Sequence, residues 1–287
     1  MGTTVIIGDV HGCTLELKFM LGLVGSEHDI DEVVFVGDLM DKGPTSAATL
    51  EFVREMDEVG LAVKHDLKKI TVTVVEGNHE NTNFRFWTKM AAGDVEGAMA
   101  MKGSEEMANI FEETSQELRD WMRAKCVPYV VKPDLGLAVV HGGILPSVVA
   151  LPLDPAELGG KNKRRVLRSM YIRYIDKDTG SMIKFMDEKP GDPFWADVYD
   201  GRFGHIYFGH QPWLEQKSRW SGVVPSWPSL DFTHKGDPKK FPHATGLDLG
   251  CVHGGELCAV LIDNESGERK FWSVSADQEY CAPLDIN

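Results

Sequence analysis

Apolar runs that stop abruptly at glycine and a polar side chain recur along this chain. "TVIIGDVHG" opens the series at residue 4, and "VVFVGD" ends at 38, "TVTVVEGNHE" at 80, "LAVVHGG" at 143 and "IYFGH" at 210. Residues 4–8 predict a first short strand. "TLELKFMLGLV" (14–24) carries apolar residues at helical spacing behind Thr14, a suitable N-cap. "DEVVFVGD" predicts a second strand, and "PTSAATLEFVREMDEVG" a helix with proline near its start and Gly60 at its end. "KKITVTVVEGNHE" predicts a third strand. Strand, helix, strand, helix, strand in about 80 residues implies βαβ units and a largely parallel sheet.

Beyond residue 80 the pattern changes. Residues 104–124 predict helix, with Met107, Ile110, Phe111, Leu118 and Met122 as its apolar positions. "YVVKPDLGLAVVHGG" predicts a pair of strands around "KPDLG", and "LCAVLIDNESGERKFWSV" a hairpin turning at "NESG". "HIYFGH" predicts a strand, and the polar stretch 150–200 carries only some helix near 163–175. The expected fold class is α/β: a two-sheet β-sandwich flanked by helices and built from βαβ units. With no linker-like composition, residues 1–287 are expected to form a single domain.

Composition narrows the setting. A hydrophobic content of 43% with 26% charged residues is that of a globular protein. The net charge of −14 argues against binding long nucleic acid, which needs clustered Lys and Arg. The five cysteines are odd in number and widely spaced, as reduced thiols are. The sequence opens directly on a strand, and no stretch approaches the ~20 apolar residues of a membrane span. A cytoplasmic location and no membrane partner are expected.

The polar residues at the strand ends carry the chemistry. They are Asp9 and His11, Asp38, Asn78 and His79, His141, and His210. Ligands of open α/β sheets gather outside the carboxyl ends of the strands, so these residues can converge from distant positions. Hard oxygen and imidazole nitrogen without thiolate suit manganese, iron or zinc. Seven such groups exceed what one ion with open positions takes, which points to two ions sharing a carboxylate. Asp41, three residues after Asp38, is placed to reach a neighbouring histidine.

"GDVHG", "GDLMDKGP", "GNHE", "HGG" and "FGH", in this order, resemble the phosphoprotein-phosphatase superfamily of calcineurin-like binuclear metallophosphoesterases. "GDVHGCTLELKFML" and "HATGLDLGCVHGGELCAVLI" are similar to the ApaH-like phosphatases, relatives of diadenosine tetraphosphate hydrolases. The resemblance implies two divalent ions: manganese, with iron or zinc as alternatives. It places Asp9 and His11 on the first, Asp38 across both, and Asn78, His141 and His210 on the second. It makes His79 the general acid, oriented by Asp41, and has a hydroxide between the ions attack phosphorus in line. Lys42 and Arg202 would grip the substrate phosphate. Lys42 departs from the arginine usual in the family, a point charge in place of a bidentate fork. "KNKRR" (161–165) is a competing source of a phosphate-binding arginine.

The substrate class stays open between two groups. The ApaH-like resemblance implies a dinucleoside polyphosphate or the triphosphate bridge of a capped RNA. The wider superfamily implies a phosphoprotein, which would make the chain a serine/threonine phosphatase. A catalytically inactive binder of phosphorylated ligands is the remaining alternative, although every ligand position is intact. His253, in a second "HGG", is expected on a pocket wall or the surface, and His205 on the other face of its strand. The tryptophan- and proline-rich stretch 213–243 is a candidate lid whose indoles could stack on a base or simply cover the sheet.

Overall fold

In the computed structural model, which describes residues 2–64, 66–214 and 243–283, strand β1 (Thr3–Ile7) is buried along its whole length. Its side chains alternate between two cores, with Val5 and Ile7 in one and Ile6 in the other. A strand covered on both faces has no polar alternation to show, which is why "TVII" reads as a continuous apolar run. The chain continues through α1 (Thr14–Glu27), β2 (Ile30–Phe35), α2 (Ser46–Glu58), the short hairpin β3 (Leu61–Val63) and β4 (Asp66–Lys68), and β5 (Thr71–Val75). β1, β2 and β5 run parallel, with Val5 opposite Val33 and Val33 opposite Val72. The expected βαβ units are therefore present.

Four helices follow: α3 (Asn78–Ala91), α4 (Val95–Met99), α5 (Ser104–Glu113) and α6 (Gln116–Lys125). The stretch 104–124, expected as helix, is two helices rather than one. Thr114 is extended (φ −105°, ψ 141°), and the Ser115 hydroxyl then caps α6 by accepting from the Leu118 N–H. β6 (Cys126–Val127) lies parallel to β5. β7 (Val130–Lys132) and β8 (Leu137–Val139) form the expected antiparallel pair around a 3₁₀ turn at Pro133–Leu135. The helix expected near 163–175 is α7 (Gly160–Ser169). The remaining strands are β9 (His205–Phe208), β10 (Ala244–Gly246), β11 (Asp248–Leu249), β12 (Glu256–Asp263) and β13 (Arg269–Ser275), the last two forming the expected hairpin.

These strands make two main sheets. The larger has the order β11-β12-β1-β2-β5-β6, with β13 also on β12, and the smaller has the order β10-β9-β8-β7. Ile6, Val34, Val36 and Val75 of the larger sheet pack with Ala138, Val139, Ile206 and Phe208 of the smaller in one buried core. On the opposite face of the larger sheet, Val33, Phe35 and Val72 meet Leu17 and Met20 of α1, Leu50 and Val53 of α2, and Phe86 of α3. The architecture is the expected sandwich with helices on its flank. It brings the carboxyl ends of β1, β2, β5, β8 and β9 toward one place.

The two cores make a simple prediction. Ile6→Ala and Ile7→Ala should each cost about 2–5 kcal/mol, because each leaves a cavity in a different layer. Urea unfolding of the two variants checks it. A silent member of the pair would mean that one face of β1 is not a packed interface.

Candidate active site

The backbone marks the site before any side chain is considered. Among the described residues, seven other than glycine have positive φ, and five of them are residues singled out from sequence: His11 (47°), Asp38 (52°), Asp41 (72°), Lys42 (69°) and His210 (69°). L-residues avoid this region at about 1–3 kcal/mol each, and such strain collects where surroundings over-determine it. Each of the five has its own N–H engaged. His11 donates to the Asp38 carbonyl at 2.8 Å, Asp38 to Glu80 Oε2 at 2.7 Å, Asp41 to Ser46 Oγ at 3.0 Å and His210 to Asp9 Oδ2 at 2.9 Å, while Lys42 donates to Glu106 Oε1. Glycine is required at 43, where a Cβ would lie 1.7 Å from the His11 carbonyl oxygen, and at 37, where φ is +110°.

The side chains converge on Asp38. Its carboxylate lies 3.7 Å from His11 Nε2, 3.3 Å from His141 Nε2 and 4.0 Å from His79 Nε2. It also accepts the His79 backbone N–H at 3.0 Å. Two donor triplets of metal-binding size contain it: His11, Asp38 and His79, and Asp38, His141 and His210. Asn78 Oδ1 lies 2.9 Å from His141 Nε2, which joins Asn78 to the second group. His11 Nδ1 donates to the Met40 carbonyl and His141 Nδ1 to the Val36 carbonyl, each at 3.0 Å. Both imidazoles therefore turn Nε2 toward the centre, the arrangement that fixes a ligating tautomer. His79 differs in donating Nδ1 to a carboxylate, Asp41 Oδ2 at 2.7 Å, and Asp41 is held in turn by the Asn83 amide at 2.9 Å.

These donors fit divalent cations. Asp9 Oδ1 and His210 Nε2 are buried without a hydrogen-bond partner, and a bound cation would satisfy both. Burial, then the charges of Asp248 and Asp38, push the Asp9 carboxyl well above its usual range. Burial also acts to raise Asp38, but His141 and His79 overcome it and hold that carboxyl well below its usual value. Burial, followed by Lys42 for His11 and by Arg173 for His210, pushes both imidazoles well down, so both are neutral and able to ligate. His79 behaves in the opposite sense. Burial lowers it, but the Asp38 charge and the Asp41 hydrogen bond outweigh that and raise it above 6.5. A histidine that keeps its proton beside ligands that lose theirs is suited to donating it.

The structure distributes the two expected phosphate-binding residues differently. Lys42 Nζ lies 3.1 Å from His11 Nε2, within the centre. Arg202 is held by the Pro146 carbonyl and Asp200, each at 3.1 Å, and touches none of the clustered donors. The guanidinium beside the centre is Arg173, which sequence reasoning missed. Its Nη2 donates to the His210 carbonyl at 3.0 Å and its Nε to Gln211 Oε1 at 2.8 Å, and Asp248, Asp38 and Asp9 all bear on its charge. The competing "KNKRR" run lies on α7, ahead of Arg173 in the chain. His205 hydrogen-bonds Thr245, and His253 donates to the Cys281 carbonyl, so neither joins the centre. Most of the candidate lid, residues 215–242, lies outside the described residues.

The chain is similar to known proteins along most of its length. The family model for calcineurin-like phosphoesterases matches residues 2–254. Symmetrical bis(5'-nucleosyl)-tetraphosphatases are similar over most of both chains: that of Neisseria gonorrhoeae (strain NCCP11945) is 25% identical across 90% of this chain and 92% of its own. That of Pectobacterium carotovorum subsp. carotovorum is 26% identical across 92% of each. An asymmetrical bis(5'-nucleosyl)-tetraphosphatase of Oceanobacillus iheyensis is 26% identical across 96% and 94%. A crystal structure of a candidate diadenosine tetraphosphatase superposes with a TM-score of 0.59 at 20% identity, covering 96% and 94%, which supports the fold.

Glu80 offers a test of the electrostatics. Its buried carboxyl, which accepts the N–H groups of Gly77, Asp38 and Leu39, is pushed up from 4.5 to about 7 by burial and then by Asp38. A folded-state value above the unfolded one means that, between the two, the folded chain holds a proton the unfolded chain has released. In chelated protein the stability advantage of wild type over Glu80→Gln should therefore be greatest below pH 4.5 and shrink as pH rises toward about 7. Thermal melts of both proteins in EDTA across that range check it. Parallel curves would show that Glu80 does not titrate there.

Proposed function

This chain belongs to the calcineurin-like phosphoesterase family, and on that premise we propose that it hydrolyses the phosphoanhydride bridge of a dinucleoside polyphosphate. It is a metal-dependent phosphoesterase. The observation that carries the chemistry is Asp38 shared between two donor triplets, with the His79–Asp41 pair alongside. The substrate reading is supported by the tetraphosphatase relatives, whose similarity runs along nine-tenths of this chain.

Asp9, His11 and Asp38 would hold one divalent ion, and Asp38, Asn78, His141 and His210 the other. Manganese suits this oxygen and imidazole set, as iron or zinc would. When bound, such ions supply Lewis acidity and an activated water near neutral pH. The chain's own residues do the rest. Lys42 and Arg173 bring positive charge to a cleft lined by carboxylates, where a polyphosphate would otherwise be repelled. The Arg173 fork is fixed by His210 and Gln211, so it meets a phosphate pre-oriented. His79, protonated and aligned by Asp41, gives its proton to the departing oxygen. That oxygen belongs to a phosphate in an anhydride and to an alkoxide in a phosphoserine, and the weaker base needs the proton less.

No described helix is long and apolar enough to cross a membrane, and all five cysteines are free thiols. A reducing cytoplasm is the compartment we propose.

Two measurements test this reading. With one manganese-loaded preparation, kcat/KM for diadenosine tetraphosphate should exceed that for a phosphoserine peptide by a hundredfold or more, roughly 2.7 kcal/mol of transition-state discrimination. The reverse order would make the chain a protein phosphatase. Full metal content with neither substrate turned over would point to a non-catalytic phospho-ligand binder or to a substrate such as a capped RNA end, which a capped oligonucleotide then separates.

The second compares variants at verified metal content. His79→Asn should lower kcat by about 10²–10⁴-fold, with a larger loss on the phosphoserine peptide than on the dinucleotide. Arg173→Lys should raise KM for the dinucleotide far more than Arg202→Lys does. The opposite ranking would return the phosphate grip to Arg202.

A further inference from the structure

A second cluster of ligand-type side chains lies outside the centre just described. Cys13, two residues beyond His11, stands at the start of α1, and Glu16 follows in the first turn of that helix. Cys251 comes from the turn after β11. The two sulfurs and a carboxylate oxygen of Glu16 all lie within 4.8 Å of one another. All three residues are buried, at 0%, 3% and 1% exposure for Cys13, Glu16 and Cys251. The Cys13 thiol donates to the His11 carbonyl at 3.9 Å, and among the described residues no lysine, arginine or histidine side chain hydrogen-bonds or ion-pairs with any of the three.

The state of Glu16 is the anomaly. Its Oε1 accepts from the Tyr280 hydroxyl at 2.8 Å and from the Asp277 N–H at 3.0 Å, whereas its Oε2 is buried with no partner. An unpaired carboxylate oxygen in such a place costs stability unless something meets it. The Tyr280 and Asp277 donors fix the carboxylate as outer partners fix a metal ligand. The neighbouring groups are thiols, which as hydrogen-bond donors are weak.

We propose that Cys13, Cys251 and Glu16 hold one thiophilic divalent cation, zinc, at a site separate from the phosphoesterase centre. Two sulfurs and an oxygen are a borderline-soft donor set, unlike the oxygen and nitrogen donors around Asp38. Donors of a tetrahedral zinc site stand about 3.5–3.8 Å apart, so the cluster needs only about 1 Å of closure. Binding releases one proton from each thiol to solvent, and the cation then faces two thiolates and a carboxylate. A disulfide is the competing outcome for the two sulfurs. It would leave Glu16 Oε2 unmet.

The location gives the cation a structural task. It would tie the first turn of α1, and so the loop carrying His11, to the turn after β11 and to the segment 277–280 that contacts Glu16.

Cobalt substitution of the full-length protein tests the proposal. Cobalt(II) in the phosphoesterase centre has only oxygen and nitrogen ligands, whereas thiolate ligation adds an intense near-ultraviolet sulfur-to-cobalt charge-transfer band. We expect that band in wild type and its loss in Cys251→Ser. Zinc-loaded Cys251→Ser should also bind one equivalent less than wild type. The absence of the band in cobalt-loaded wild type overturns the proposal whether or not the variant folds. So does an intact mass showing Cys13 and Cys251 joined as a disulfide in the purified protein.

Discussion

The Asp38 carboxylate is the constraint on which the rest of the site depends. It is 2% exposed, sits at a φ of 52° and is shared by three imidazoles. A buried charge survives only where hydrogen bonds and opposite charge repay its lost hydration. Here the His79 N–H and the surrounding histidines keep it ionised, and the consequence falls on its neighbours. Asp9 and Glu80, buried nearby, are pushed toward their neutral forms partly by Asp38 itself. Several carboxylates thus compete for charge in one place, and the fold alone lets Asp38 win. Divalent cations would remove the competition by letting these carboxylates ionise together.

The sheets explain how such residues meet at all. β1, β2 and β5 run parallel, so their carboxyl ends deliver Asp9 and His11, Asp38, and Asn78 and His79 along one edge. β8 and β9 of the smaller sheet, also parallel to each other, deliver His141 and His210 from the opposite layer. The Gly209 N–H bonds the His141 carbonyl at 2.8 Å, so the two loops are tied to each other before they reach the larger sheet. The His210 N–H then bonds Asp9 across the sandwich. The inter-sheet core around Ile6, Val34, Val139 and Ile206 sets the distance over which these links close.

Much of this was legible in the sequence for a physical reason. Where an apolar run ends at glycine and a titratable residue, strand period, turn chemistry and ligand chemistry all coincide in four or five letters. Asp9, His11, Asp38, Asn78, His79 and His141 stood out in this way. Arg173 did not, because it lies in a stretch without regular structure, where no period marks which side chain faces inward. Its position is set by contacts to His210 and Gln211, residues 37 and 38 places away, and no local pattern encodes that. Arg202 shows the converse, with a motif-like context that leads to a surface contact with Pro146. The break between α5 and α6 was hidden because Thr114 and Ser115 interrupt the helical period by only two residues. The wide spacing of the cysteines marks them in the sequence only as separate reduced thiols, and the proximity of Cys13 and Cys251 is a tertiary fact.

The strained backbone shows why the site is so rich in acids. Five residues at the centre hold positive φ, and at about 1–3 kcal/mol each the strain is comparable to the net stability of a whole domain. None of the five N–H groups is satisfied within a helix or strand. Three bond to carboxylates, those of Glu80, Glu106 and Asp9, and two bond to the Asp38 carbonyl and the Ser46 hydroxyl. A carboxyl offers two acceptor oxygens, so one acid can hold several such N–H groups, as Glu80 holds those of Gly77, Asp38 and Leu39. Yet burial and a neighbouring acid push each of the three carboxyls up, so each would ionise readily only with a cation beside it. The acids that hold the loops in place therefore also supply the charge that bound cations would draw out. Metal affinity and loop geometry are then two consequences of one set of side chains, and neither can be altered at Glu80 or Asp9 without disturbing the other.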